Sequence, residues 1–289
     1  MTDDMKEQNE LLSKIFDYLK SKSPKTLCDD NPIVSHYCTF TSALNIIETK
    51  KLWFTDHRYM NDPTEVKYAL ELVIEVIENY FSDVQELESF KKLFLNFIDK
   101  HYTVLLCCFL KKQDYMPGWR YYGDDGQGVS INFYKNLLIG KNKLSAHDIV
   151  YDKSTQERFL KGLIELFINS KKKLEDLSGL FLGISIILHS IKIMDYSDEC
   201  EWRIASPHIY MPSSDSFLPT DLPIHQIITS RQKPTYEILE FDYSAIESIT
   251  LGPSSDHNKN HNILKKLFYD LKIDMLKVNY STRRYRHFF

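Results

Sequence analysis

The chain has 289 residues, 43% hydrophobic and 13% aromatic, which is ample for a core and excludes a disordered polymer. A net charge of -4 gives no global attraction to nucleic acid or to an anionic membrane. The local basic patch STRRYRHFF, with Arg283, Arg284 and Arg286, reads more simply as a solvated tail.

The N-terminal MTDDMKEQNELL is acidic and polar, unlike a secretory signal. The most apolar run, GLFLGISIIL (179–188), is too short for a membrane span. Five scattered cysteines without a CxxC pair fit a reducing compartment. A soluble cytoplasmic chain with no membrane partner is expected.

In chain order, Leu11, Leu12, Ile15 and Leu19 give helical periodicity over 9–20, an N-terminal helix within 1–25. VSHYCTF (34–40) is rich in β-branched and aromatic residues and reads as a strand. SALNIIE turns helical, and KLWFT (51–55) returns to a strand. NDPTE (61–65) starts a helix to about residue 81: Asn61 or Asp62 caps, Pro63 opens, and Glu65 closes a capping box. A second helix covers 84–101, and TVLLCCFL (103–110) is a strand buried on both faces. The turn-rich WRYYGDDGQG feeds a strand at 128–133, and a short strand lies at 149–151. Helices are expected at 154–173 and 177–191. YSDECEWRIA (196–205) alternates like a strand, placing Glu199, Glu201 and Arg203 on one face and Cys200, Trp202 and Ile204 on the other. A Pro/Ser loop (207–223), strands near 224–229, 236–242 and 247–251, a helix over 258–271 and a strand at 276–281 complete the chain. The fold expected is one α+β domain over 26–289, with a mixed or mostly antiparallel sheet and a helical insertion at about 154–191.

Few standard signatures occur. His257 and His261 have the four-residue spacing of a zinc pair, but they sit among asparagines at a helix start, where capping is the simpler reading. GDDGQG (123–128) lacks the phosphate-loop lysine and the calcium-loop spacing, and reads as a tight turn. No metal site is expected. Three polar groups at strand ends remain: His36, Tyr37 and Thr39 in HYCTF, Trp119, Tyr121 and Tyr122 in WRYYG, and the acids of ECEWR. Each alone suits a core histidine, core aromatics or an ion pair. Together they offer a hydroxyl-binding imidazole, aromatic planes and a carboxylate.

These stretches carry a family resemblance. SHYCTFTSALNIIETKKLWFTDHRYMNDPTE (35–65), WRYYGDDGQGVSINF (119–133), ECEWRI (199–204) and the tail from SITLGP (248–253) resemble, in order, the bacterial family of domain-of-unknown-function 2971. That family in turn resembles, more remotely, the ADP-ribosyltransferase fold of the His-Tyr-Glu clade. The resemblance implies a split sheet holding NAD as co-substrate. It also implies transfer of ADP-ribose to a macromolecular acceptor, protein or nucleic acid, as in a toxin or antiphage effector with an inhibitor partner. NAD hydrolysis, or a non-catalytic module that binds a nucleotide, nucleic acid or protein, is the alternative.

On that resemblance His36 binds a ribose hydroxyl, with Tyr37 and Thr39 beside it, and Tyr122, or else Trp119 or Tyr121, stacks on nicotinamide. Glu201 is the catalytic carboxylate, Glu199 a second one or the partner of Arg203, and Arg58 lies at the diphosphate or the reacting face.

Overall fold

A computed structural model describes residues 14, 17–18, 31–60, 65–139, 145–169, 178–211, 216–217, 236–273 and 276–284. The expected N-terminal helix, the NDPT cap and the strand near 224–229 fall mostly or wholly outside these residues. Ten strands are described: β1 (Ile33–Cys38), β2 (Lys51–Asp56), β3 (Tyr102–Leu110), β4 (Val129–Tyr134), β5 (Ser145–Asp148), β6 (Glu201–Met211), β7 (Ser216–Phe217), β8 (Tyr236–Glu240), β9 (Ile246–Leu251) and β10 (Lys277–Tyr280). The helices are α1 (Phe40–Thr49), α2 (Glu65–Glu78), α3 (Val84–His101), α4 (Met116–Tyr121), α5 (Lys135–Ile139), α6 (Lys153–Asn169), α7 (Ser178–Leu188) and α8 (His257–Asp270).

The architecture is α+β, with a mixed, mostly antiparallel sheet. Its main path runs β10-β9-β4-β1-β3-β2-β8, and β6 pairs β3, β5 and β7. Among the described strand pairs, only β9–β10 is parallel. The sheet branches at β3. One edge of β3 pairs along its length with β6, from Tyr102 opposite Ile209 to Leu110 opposite Glu201. The other edge is shared: β1 meets it at Leu110, and β2 meets it at Leu105 and Leu106. Between those contacts β1 and β2 diverge. Along this stretch the His36 Nδ1 lies 3.3 Å from the Cys108 carbonyl oxygen.

Alternation along the strands gives each face its own core. One face packs Val34, Leu105, Cys107, Phe109, Ile131, Trp202 and Ile204 against α1 and α8. The other packs Tyr102, Val104, Leu106 and Ala205 under α2, α3, α6 and α7.

Local chemistry sets the element ends. Thr39 caps α1 by accepting from the Ser42 amide, so β1 stops at Cys38 instead of running to residue 40. Asp83 caps α3, accepting from the amides of Gln85 and Glu86 at 2.6 and 3.1 Å. WRYYG is not a bare turn: it is largely the short helix α4, opened by Pro117. The expected strand at 149–151 reduces to a single bridge, Val150 to Ile191, while β5 forms just before it. The main correction concerns YSDECEWRIA. Residues Met194–Glu199 form a 3-10 turn, Cys200 adopts a left-handed conformation (φ 46°), and the strand begins only at Glu201. It then continues through Pro207 to Met211, where a loop was expected.

Candidate functional site

The left-handed Cys200 turns the chain so that two acids, Glu199 before it and Glu201 after it, converge on one lysine. Lys192 Nζ lies 2.6 Å from Glu199 Oε2 and 3.3 Å from Glu201 Oε2. Arg203, two residues along β6 on the same face, closes a bidentate pair on Glu201, with Nε and Nη2 each donating at 2.7 Å. Its Nη1 donates to the His189 carbonyl at 3.1 Å. Tyr122, at the end of α4, donates its hydroxyl to Glu199 Oε1 at 2.9 Å. The Tyr151 hydroxyl accepts from the Glu201 amide at 3.1 Å. All four charged side chains are buried.

Two acids and two bases cancel, which is what makes such a cluster tolerable out of water. The two carboxylates are not equivalent. Glu201 is held by three charged donors, Glu199 by one lysine and one phenol. Burial alone would raise the Glu201 pKa, but Arg203, through charge and hydrogen bonds, and then Lys192 hold it well below the ordinary carboxylate value. The Tyr122 phenol is pushed up by burial and then by the charges of Glu199 and Glu201, so it stays a donor. A non-glycine residue in the left-handed region costs about 1–2 kcal/mol, and here that cost falls between the two acids.

Beside the cluster, the rings of Tyr37 and Trp119 meet edge to face at 4.9 Å over Leu110, the residue paired with Glu201. Both aromatics are committed. The Tyr37 hydroxyl donates to the Lys112 carbonyl at 3.0 Å and accepts from the Tyr115 amide at 2.9 Å. Trp119 is fully buried, and its Nε1 donates to Asp114 Oδ1 at 2.9 Å. Thr39 serves its cap, and Tyr121 is exposed.

The candidates therefore separate. Tyr122, Glu199 and Glu201 come together, with Tyr37 and Trp119 packed next to them. His36 does not join them. Register pairs it with Ile131, and it packs on Phe109, whose partner is Trp202. That is the face opposite Glu201. Its Nδ1 serves the Cys108 carbonyl, and burial lowers its pKa, so it stays neutral. Arg58 also lies elsewhere, in the turn after β2, with Nε and Nη2 on the carboxylate of fully buried Asp56.

Two groups escape a reading by spacing. Lys192, which bridges the acids, lies in the apolar run HSIKIM, where one lysine gives no periodic signal. His189 is buried, its ring 5.0 Å from that of His147, and neither of its ring nitrogens has a hydrogen-bond partner. The zinc reading of His257 and His261 stays set aside: His257 Nε2 bonds the Gly252 carbonyl at 2.9 Å and His261 Nδ1 meets the Tyr280 hydroxyl at 2.7 Å. Among the described residues no group of three or more histidine, cysteine or acidic side chains is arranged to hold a metal. No helix among them is long and apolar enough to cross a membrane.

Residues 119–204 match the model of a family described as a protein of unknown function (DUF2971), which supports the family expected from the sequence. The matched span contains Tyr122, Tyr151, Lys192, Glu199, Glu201 and Arg203, the whole of the charged cluster. No curated protein and no solved structure matches the chain.

Proposed function

We propose that the chain is an NAD-consuming ADP-ribosyltransferase acting on a macromolecule, protein or nucleic acid, with Glu199 as its reacting carboxylate. The observation that supports this reading is the buried pair of acids on Lys192, addressed by the Tyr122 hydroxyl at the head of a strand in a branched sheet. In the proposed step the bond between the ribose C1′ and the nicotinamide nitrogen breaks, and nicotinamide leaves with the electron pair. The acceptor's heteroatom bonds C1′ and yields its proton to Glu199. The transition state carries positive charge on the sugar, and a carboxylate preorganised in a dry site stabilises it. Glu201, saturated by Arg203 and Lys192, is a positioning residue here. His36 is not a sugar ligand in this arrangement. As a toxin or antiphage effector, such an enzyme would need an inhibitor partner.

A second reading follows from the exact cancellation of charge. A cluster whose four members are already paired is also what a non-catalytic module would use to hold β6 against α7. Nicotinamide release from NAD separates the two, measured with purified protein and, using labelled NAD, with cell lysate as the acceptor source. Wild type should turn over, and Glu199→Gln should lose about 10²–10³ in rate with an unchanged circular-dichroism spectrum. NAD binding without release, equal in wild type and variant, would establish the module. Neither release nor labelling in any condition would sink the enzyme.

A further inference from the structure

A cleft lies at the end of β3 away from the charged cluster. Tyr102 and Cys108 are six strand residues apart, ~20 Å, and the apolar core under α2 and α7 lies between them. The cleft has a volume of about 610 Å³, within the range of small-molecule sites. Leu70 of α2 and Leu95 and Ile98 of α3 give it aliphatic walls. Tyr102, Arg58 and His57 bring polar groups to its lining. The Tyr102 hydroxyl is sealed from solvent and has no hydrogen-bond partner, an arrangement that buried polar groups rarely tolerate. Arg58 spends Nε and Nη2 on Asp56, while its side chain remains about half exposed, leaving Nη1 for another acceptor. His57 Nδ1 lies 3.3 Å from the Val104 carbonyl and 3.6 Å from Asp56 Oδ1. The Val104 amide, at 3.4 Å, competes for the same nitrogen. Nδ1 thus stands between a backbone acceptor and a backbone donor, and Nε2 takes the role opposite to that of Nδ1 toward a ligand.

Charge decides the ligand class. Asp56 cancels Arg58 and Asp99 also lines the cleft, so an organic anion meets no surplus positive charge, while the half-exposed Arg58 guanidinium repels an organic cation. We infer that this cleft binds an uncharged, flat heterocycle with both donor and acceptor groups on its edge, of the size and kind of a purine base. The aliphatic walls cover the ring faces. Arg58 Nη1 donates to a ring acceptor, His57 Nε2 meets a donor or acceptor on the ring edge, and the buried Tyr102 hydroxyl, without a partner in the free protein, becomes a second donor when the ligand seats. The site is separate from the charged cluster, and the inference does not depend on the transferase reading.

Calorimetric titration of the full chain with adenine tests it, with benzoate as the anionic comparison and two variants. Adenine should bind and benzoate should bind at least tenfold more weakly. Tyr102→Phe removes a hydroxyl that has no partner in the free protein. Its unfolding midpoint should therefore hold or rise, while adenine affinity falls by about 5–10-fold. Leu95→Trp, at a position 42% exposed and so tolerant of bulk, should abolish binding by filling the mouth. No heat with adenine at millimolar concentration, benzoate binding as tightly as adenine, or affinity unchanged in Tyr102→Phe would each overturn the assignment.

Discussion

At the scale of single residues, the charged cluster turns on Lys192. Removing it leaves Glu199 and Glu201 buried: Arg203 still holds Glu201, and Glu199 keeps the Tyr122 hydroxyl. Breaking a buried pair from one side strands a charge, at a typical cost of 3–5 kcal/mol. Lys192→Met should therefore lower the free energy of unfolding by about 3–5 kcal/mol at pH 7 in urea titration. Adding Glu199→Gln removes most of the stranded charge, so the double variant should be more stable than the single one, a non-additivity expected of groups in contact. Equal stability of the two would show that Glu199 does not rely on Lys192. The same geometry explains why ECEWR was only partly legible. Alternation puts acids at 199 and 201 on one side in any strand, and their convergence was readable. That a left-handed cysteine separates them, and that the bridging cation is Lys192, in the segment between α7 and the 3-10 turn, was not.

At the scale of elements, the second and third helices show what local chemistry can do alone. The apolar spacing over 84–101 predicts a helix with the bounds that α3 has. Its cap is local too: both hydrogen bonds to Asp83 come from residues two and three positions later. Asp83→Ala should cost about 1 kcal/mol, read from the urea midpoint, and Asp83→Asn much less. The tight segment before β4 behaves differently. A Cβ on Gly128 would overlap the Cys38 carbonyl oxygen and come within 2.8 Å of the Gly123 carbonyl oxygen. Both are backbone atoms that cannot swing aside. GDDGQG thus looks like a plain turn in sequence, and the demand for glycine comes from β1 passing close to it.

At the scale of the whole molecule, the branched sheet holds imidazoles in partly or fully buried positions. His36 and His57 each stand against main-chain groups of β3, at Cys108 and at Val104. The rings of His147 and His189 meet edge to face beside Arg203, near the charged cluster. Burial lowers all four pKa values, to about 4 for His147. In the unfolded chain these groups titrate near the ordinary value of 6.5. Below that pH the unfolded state takes up protons that the folded state refuses, so stability falls as pH drops from about 6.5 toward 4. Each such histidine contributes a slope of about 1.4 kcal/mol per pH unit across its window. Urea unfolding at pH 7.5, 6 and 5 should show the decline, and His189→Leu should flatten it by about one histidine's share. An unchanged slope would mean that His189 is protonated in the fold.

What the chain determines by itself is everything that is local: the helical periods of α2, α3 and α8, the β-branched and aromatic run of β1, the continuous apolar run of β3, and the family likeness of residues 119–204. These follow from each residue's own preference and that of neighbours within one turn or one pleat. The tertiary structure decided which face of the sheet each polar side chain serves. His36 and Glu201 look like companions in sequence. Because side chains alternate with every residue, and because register pairs Glu201 with Leu110 and Trp202 with Phe109, the sheet itself stands between them.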